Sequence, residues 1–553
     1  MDKIWLKHYP KDVPAEIDFQ QYHSVIDIFR EACEKYRHKP AFTNLGHVIT
    51  YDALDNLSRD FAAYLENDLH LKRGDRVAIM LPNLLQYPIV LFGLLRAGCI
   101  AVNFNPLYTP TELEHQLNDA QTETIVILAN FASTLEKALP QTKIKNIIIT
   151  ELADCLPLFK RKLINFAVKY IKRLVPKFSL PNTISFLDCI NRGKTLPLLF
   201  DEKTLKFDDI AFLQYTGGTT GVAKGAMLTH RNIVANMLQG RAWMSDVLQM
   251  GKETVITPLP LYHIFSLTVN CLIFLELGGL NVLITNPRDI PNVIKEIKKF
   301  KFTAMTGVNT LFNAMLNHAD FNSIDFSHLH LSIGGGMAVQ QIVAERWEKE
   351  THCALLEGYG LTEASPAVSM TPLNLEHYNG SIGLPLPSTD ISIRDDDGKE
   401  LSIGEVGELC VKGPQVMLGY WNNPEETKNV LTSDGWLHTG DIAKIDHNGF
   451  IYIVDRKKDM INVSGFKVFP NEIESVIASH PGVREVGVVG IVDPVLGEEV
   501  KAVIVKKDPN LTADDIRKYC HQKLTGYKVP KIIEFRDSLP KTSVGKILRR
   551  ELR

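Results

Sequence analysis

The sequence predicts an α/β protein: a large N-terminal region of two parallel α/β subdomains plus a small β-rich, barrel-like subdomain, followed by a small α+β domain. Three observations predict it. Short β-branched runs alternate with helical-period stretches over most of the chain, the pattern of parallel α/β layers. From about 380 to 454 the texture changes to short strand-like pieces punctuated by Gly and Asp. A charged cluster, Asp455-Arg-Lys-Lys-Asp459, then interrupts the apolar texture before the final stretch.

In chain order, the β-branched runs at 76–81, 124–128 and 146–150 read as strands, with helices over 52–67 and 111–119. The apolar run Ile210-Ala-Phe-Leu213 reads as a further strand, and Leu331-Ser-Ile-Gly-Gly-Gly336 as one that ends on three glycines. The β-rich part offers strands at 389–394, 406–412, 441–446 and 450–454. After the charged cluster, Pro470 opens a helix and strands follow near 485–492 and 499–506. Thr512 with Asp515 three residues on forms a capping box, with Asp in place of the usual Glu. The domains are therefore expected at 1–454 and 460–553, with 455–459 as hinge.

The 553 residues amount to about three or four domains' worth of chain. Hydrophobic residues make up 45% and charged ones 23%, which excludes a disordered or fibrous chain. A net charge of −3 provides no global basic field to hold nucleic acid. Eight cysteines without a C-x-x-C pair suggest neither a disulfide framework nor a zinc site, and point to a reducing cytoplasm. The N-terminus lacks the apolar core of a signal peptide. The best apolar stretches, 88–103 and 268–284, are broken by Arg96 and by Asn270 and Glu276, so neither reads as a membrane span. A soluble or peripheral protein is expected.

The strongest local signal is Tyr215-Thr-Gly-Gly-Thr-Thr-Gly-Val-Ala-Lys-Gly225. Gly217, Gly218, Gly221 and Gly225 let backbone N–H groups converge on anionic oxygens. Thr216, Thr219 and Thr220 add hydroxyl donors and Lys224 a cation, which together make a phosphate cradle. It is not a Walker A loop, because Ala223 follows Val222 where a glycine should precede the lysine, and Gly225 stands where Ser or Thr should hold magnesium. The plainer reading is a flexible surface loop. Glu357-Gly-Tyr-Gly-Leu-Thr-Glu363 contains G-x-G, but Glu363 occupies the third glycine of a dinucleotide fingerprint. Beside a polyphosphate its carboxylate suits a magnesium ion; alone the loop is a turn. Asp434-Gly-Trp-Leu-His-Thr-Gly-Asp441 puts a carboxylate in a tight turn, to accept ribose hydroxyls or to cap that turn. His263 in Pro260-Leu-Tyr-His-Ile-Phe265 sits among apolar residues as a core histidine would, and Lys546 reads equally as a solvated terminal lysine.

Together these residues resemble the acyl-adenylating enzymes, the superfamily of acyl-CoA synthetases, luciferases and peptide-synthetase adenylation domains. The resemblance runs from about residue 20 to the end. It is carried by Tyr215–Gly225, 357–363, Gly404-Glu-Val-Gly-Glu408, Trp436–Asp441, Asp455-Arg-Lys-Lys-Asp-Met-Ile461 and Gly545-Lys546. Trp436-Leu-His-Thr-Gly-Asp-Ile442 with Ile453-Val-Asp-Arg-Lys-Lys458 looks like the fatty acyl-CoA synthetase signature. The resemblance implies ATP, CoA and a long-chain fatty acid as substrates, Mg2+ as cofactor, and a homodimer as an open prospect. A fatty acyl-AMP ligase or a medium-chain or aryl acid–CoA ligase stays as the alternative.

The resemblance also implies roles. Residues 215–226, through Ala226, would hold the β- and γ-phosphates, with magnesium between Thr216 and Glu363. The adenine would pack against Gly358, Tyr359 and Gly360, with Thr362 beside them, while Asp441 and Arg456 hold the ribose. Lys546 would contact the acyl carboxylate and α-phosphate, and His263 would orient that carboxylate. The small domain would be mobile, turning about Lys458 to withdraw Lys546 and bring Gly465 to a pantetheine tunnel.

One segment speaks through composition alone. Residues 155–187 contain no acid, while 160–177 hold seven basic residues. At helical spacing Arg161, Lys162, Asn165, Lys169, Lys172 and Arg173 form a stripe beside a wide apolar face, up to Pro176. Such a helix suits an anionic bilayer surface, here the inner face of the cell membrane; packing into the core is the rival reading.

Overall fold

The computed structural model describes residues 3–216, 223–375, 377–463, 466–493, 497–542 and 545–553. Among these, an eight-stranded sheet forms first. Asn146–Thr150, Thr124–Leu128, Arg76–Met80, Ile100–Asn103 and β1 (Ile210–Tyr215) run parallel in that order. Thr124–Leu128 and Ile100–Asn103 are buried at every position, so both sheet faces are covered, as their unbroken apolar runs require. β2 (Gly225–Thr229) returns antiparallel to β1, with Tyr215 opposite Gly225. The glycine- and threonine-rich segment therefore joins two antiparallel strands. Thr229 and Asn232 then form a capping box that starts α1 (His230–Trp243).

A nine-stranded sheet packs beside the first. Its parallel strands run Pro40–Asn44, Leu280–Leu283, Thr254–Thr257, Ala304–Gly307, Leu331–Gly335 and β3 (Leu355–Gly360). The apolar run near 88–103 becomes a helix, Gln86–Arg96, buried at every residue, and the strand Ile100–Asn103. Arg96 itself is only 2% exposed, because its guanidinium meets Asp55 at 2.7 Å and Glu202 at 2.6 Å. The other apolar run becomes the helical segment Ser266–Ile273, the turn Phe274–Glu276 and a strand. Among the described residues no helix is long and apolar enough to cross a membrane.

The β-rich part is a four-stranded antiparallel sheet of Asp390–Arg394, Gly407–Lys412, β4 (Leu437–Ile445) and β5 (Ile451–Arg456). Here one expectation is corrected: Asp441 lies inside a strand and not in a tight turn. The turn comes earlier, where Gly435 at φ 88° lets the Trp436 carbonyl accept from the Thr432 N–H at 2.9 Å. Asp455 and Arg456 of the charged cluster complete β5. The last domain has a five-stranded sheet dominated by the pair Val483–Asp493 and Gly497–Lys506. Two helices cover it, Pro470–Ala478 with Pro in its first turn and Ala513–His521 with the Thr512–Asp515 capping box.

The basic segment also departs from expectation. Its α-helix spans Leu158–Phe166 and widens into a π-turn over Ala167–Ile171. The helix then stops well before Pro176, with Arg173 at φ 51°. The core-packed reading is overturned: Phe159 is 81% and Ile171 71% exposed, and Leu163, Phe166, Tyr170 and Leu174 are exposed as well. Only Val168 of the π-turn is buried.

Candidate active site

A cavity of about 1460 Å³ opens between the two parallel sheets, the four-stranded sheet and the small domain. It gathers residues that lie more than 300 positions apart. Tyr215, Thr216, Ala223 and Lys224 line it from the β1–β2 connection, and His263 from the loop before Ser266–Ile273. Gly358, Tyr359, Gly360, Thr362 and Glu363 reach it from β3 and the turn after it, Asp441 and Arg456 from β4 and β5, and Lys546 from the last loop. Gly225 and Ala226 do not line it, since β-ladder bonding holds both in β2, where the Gly225 carbonyl accepts from Trp421 N–H at 2.8 Å. Gly217, Gly218, Thr219, Thr220, Gly221, Val222 and Gly465 lie outside the described residues.

The strands set one polar corner. Asp441 sits opposite Arg456 in the β4–β5 register, and their side chains meet at 3.4 Å. The other carboxylate oxygen of Asp441 accepts from the Tyr359 hydroxyl at 2.6 Å. Gly360 lets β3 and the chain at Pro366 pack together beside this corner, because a Cβ there would stand 2.1 Å from the Pro366 carbonyl oxygen.

A second corner joins His263 and Lys546. Gly545 takes φ 85° and hands its carbonyl to the Thr310 hydroxyl at 3.1 Å, so the final loop docks on the large region. Burial brings the Lys546 ammonium down to about 7, with Arg456 pushing the same way and Asp441 opposing. Burial and then Lys546 lower the imidazole of His263 to about 4, which keeps it neutral at pH 7. Its Nδ1 accepts from the Phe265 N–H at 3.3 Å, so the ring proton sits on Nε2 as a donor.

Several participants escaped the sequence reading. The Lys224 ammonium pairs with Glu426 and lies 5.2 Å over the Tyr420 ring. The Tyr420 hydroxyl donates to Glu363 at 2.7 Å. Both partners belong to Gly419-Tyr-Trp-Asn-Asn-Pro-Glu-Glu426, a Gly- and Pro-bearing stretch whose chemistry is silent until it folds against Lys224 and Glu363. Glu357 lies buried at the cavity wall with its carboxyl pushed up to about 8 by burial, one oxygen accepting from Val339 N–H at 3.2 Å. The His263 loop is itself held by buried amides: Gln214 donates to the Tyr262 carbonyl at 2.8 Å, and Asn83 accepts from Leu261 N–H at 2.8 Å.

Away from these corners the cavity extends into an apolar limb between α1 and Ser266–Ile273, with Met370 and Leu386 on its walls. The arrangement offers cations and hydroxyls for a polyphosphate, an acceptor pair for a diol, and a lipophilic chamber next to a buried ammonium.

Comparison with known proteins adds to this geometry. Residues 29–421 match the model of the AMP-binding enzyme family, and 472–546 that of the AMP-binding enzyme C-terminal domain. The chain is 59% identical to a long-chain-fatty-acid–CoA ligase of Escherichia coli O157:H7, over 100% of this chain and 98% of that protein. It is 40% identical to the ligase of the same name from Bacillus subtilis strain 168, over 100% and 97%. Its fold matches the crystal structure of the anthranilate CoA ligase AuaEII in complex with anthranoyl-AMP, with a TM-score of 0.85 and 26% identity, covering 97% and 98% of the two chains.

Proposed function

The chain belongs to the AMP-binding enzyme family, and from that premise we propose how its cavity activates a long-chain fatty acid. The enzyme is a long-chain-fatty-acid–CoA ligase that works in two steps. A carboxylate oxygen attacks the α-phosphorus of ATP and pyrophosphate leaves; the CoA thiolate then attacks the acyl carbon and AMP leaves. The first step presses an anion against a polyphosphate, so cations must converge on it. The observation that carries the reading is one cavity holding Lys224, Arg456 and Lys546 together with a limb free of charge.

In this reading Lys546 bridges the acyl carboxylate and the α-phosphate, and His263 donates from Nε2 to orient that carboxylate. Asp441 and Arg456 hold the ribose, and the adenine lies along Gly358–Gly360. Lys224 leaves Glu426 for the β- and γ-phosphates. Thr216 and Glu363 fit a magnesium ion, since both line the cavity and supply the hydroxyl and carboxylate oxygens that this ion takes. When bound it supplies positive charge to the phosphate oxygens. The test is ATP–pyrophosphate exchange across a chain-length series of fatty acids, then repeated with CoA. Exchange with long acids, followed by CoA-dependent thioester and AMP, is expected; ADP as product, or adenylate without thioester, would refute it.

The exposed segment 158–174 supports a cytoplasmic enzyme that rests on an anionic bilayer at the inner face of the cell membrane. Its apolar side chains stand in solvent beside six basic residues. Each basic residue near such a surface contributes about 1 kcal/mol at low salt.

A further inference from the structure

The apolar limb is walled by two facing helical segments. α1 and its C-terminal cap turn Asn236, Gly240 and Met244 toward it, four residues apart and so on one face; Val269 and Ile273 face them on the same spacing. Asn236 spends its amide on the Ala367 backbone, donating at 2.8 Å and accepting at 3.0 Å. Arg241 is turned away and pairs with Glu276 at 2.6 Å. What the limb presents is hydrocarbon.

Gly240 stands out in this wall. It lies inside a helix with φ outside the left-handed region, so the backbone does not call for glycine, and alanine would make the better helix. A Cβ there would stand 2.7 Å from Ile273 Cδ1 and 3.8 Å from Met244 Cε. Ile273 Cδ1 therefore tucks into the place a side chain would take, and any side chain at 240 would push it out into the limb. Ile273 ends the helical segment that follows the His263 loop, ten positions on from His263, which puts this place roughly 12–15 Å from the reacting end. Octanoate would not reach so far; hexadecanoate would.

We propose that Gly240 sets the length of acyl tail that the enzyme takes, by letting Ile273 draw back against α1 and so leaving the limb clear for the distal methylenes of a long chain. The inference rests on the fatty-acid reading above. Each methylene that finds apolar cover strengthens binding about fourfold, and each one denied cover loses that factor. A glycine needed only for close helix packing would affect all acids alike.

The experiment measures kcat/KM of the full-length enzyme for octanoate through octadecanoate. For Gly240→Val the hexadecanoate-to-octanoate ratio should fall on the order of tenfold or more, about two methylenes' worth. Ile273→Ala should move the ratio the other way, toward longer acids. If Gly240→Val fails to fold, Gly240→Ala, whose added carbon meets only the mobile end of Ile273, reads the same ratio. An active wild type whose variants show an unchanged ratio would overturn this inference alone. A wild type inert on every acid would overturn the fatty-acid reading and this inference with it.

Discussion

Lys546 keeps its cation where the protein disfavours it. Burial and Arg456 bring it down to about 7, so the free enzyme is only partly charged there at neutral pH. In the proposed reading an arriving carboxylate and α-phosphate would supply the counter-charge, needed only while those two groups react. Lys546→Ala should abolish most acyl-AMP formation yet leave thioester formation from supplied acyl-AMP largely intact; equal loss in both half-reactions would make it a structural residue. The same shift bears on stability. The folded protein releases this proton near pH 7 and the unfolded chain near 10.5, so between them the unfolded state binds more protons and stability rises with pH. The stabilising effect of Lys546→Met should thus be largest at pH 7 and fade toward pH 10.5, read as the difference in Tm. A pH-independent difference would contradict a buried ammonium. Glu363→Gln removes one charge with little change of shape and keeps the Tyr420 contact. It should raise the magnesium concentration needed for half-maximal pyrophosphate exchange while leaving Tm nearly unchanged; unaltered magnesium dependence at full activity would reduce Glu363 to a turn residue.

At the scale of elements, the segment 158–171 shows why a composition signal can be right about exposure and wrong about shape. The absence of acids and the wide apolar face were legible, because they are properties of residue type. The π-turn over Ala167–Ile171 was not, since its wider spacing depends on which carbonyl each N–H finds. It also carries Lys169 on a different spiral from the ideal stripe. The charges nonetheless remain on an exposed surface, and changing Lys169, Lys172 and Arg173 to Glu should release the protein from anionic vesicles at low salt. Acyl-CoA synthesis in solution should persist. Wild-type binding that ignores both salt and the triple change would end the membrane reading.

On the scale of the whole molecule, Arg549 ties the small domain down. Its guanidinium meets Asp455 and Asp459 at 3.2 Å and Glu474 at 2.9 Å, and Asp455 is fully buried. Asp455 belongs to β5 of the large region, so turning the small domain about Lys458 would part this contact. Arg549→Met leaves Asp455 buried without its cation and should lower stability by about 3 kcal/mol in denaturant titration; a change below about 1 kcal/mol would mean that backbone N–H groups alone satisfy the carboxylate. Gly465→Leu tests the rotation from the other side: adenylation should survive and thioester formation stop, and an equal fall in both would refute the swing.

The amino-acid sequence was enough for the fold class, the strands near 76, 124 and 146, the capping of the helix after Thr512, and the residue types able to meet a phosphate. These follow from side-chain period, backbone freedom and local hydrogen bonding, which act over a few residues. Only the folded chain decides that Asp441 lies in a strand opposite Arg456, that Glu426 and Tyr420 meet Lys224 and Glu363, and that Gly240 packs against Ile273. It also decided the charge states: Lys546, Glu357 and His263 are ordinary groups in sequence, and depart from their usual ranges only because distant segments take their water away. Desolvation and charge coupling depend on distance in space, and the 330 or so residues between β1 and Lys546 carry no record of it until the chain has folded.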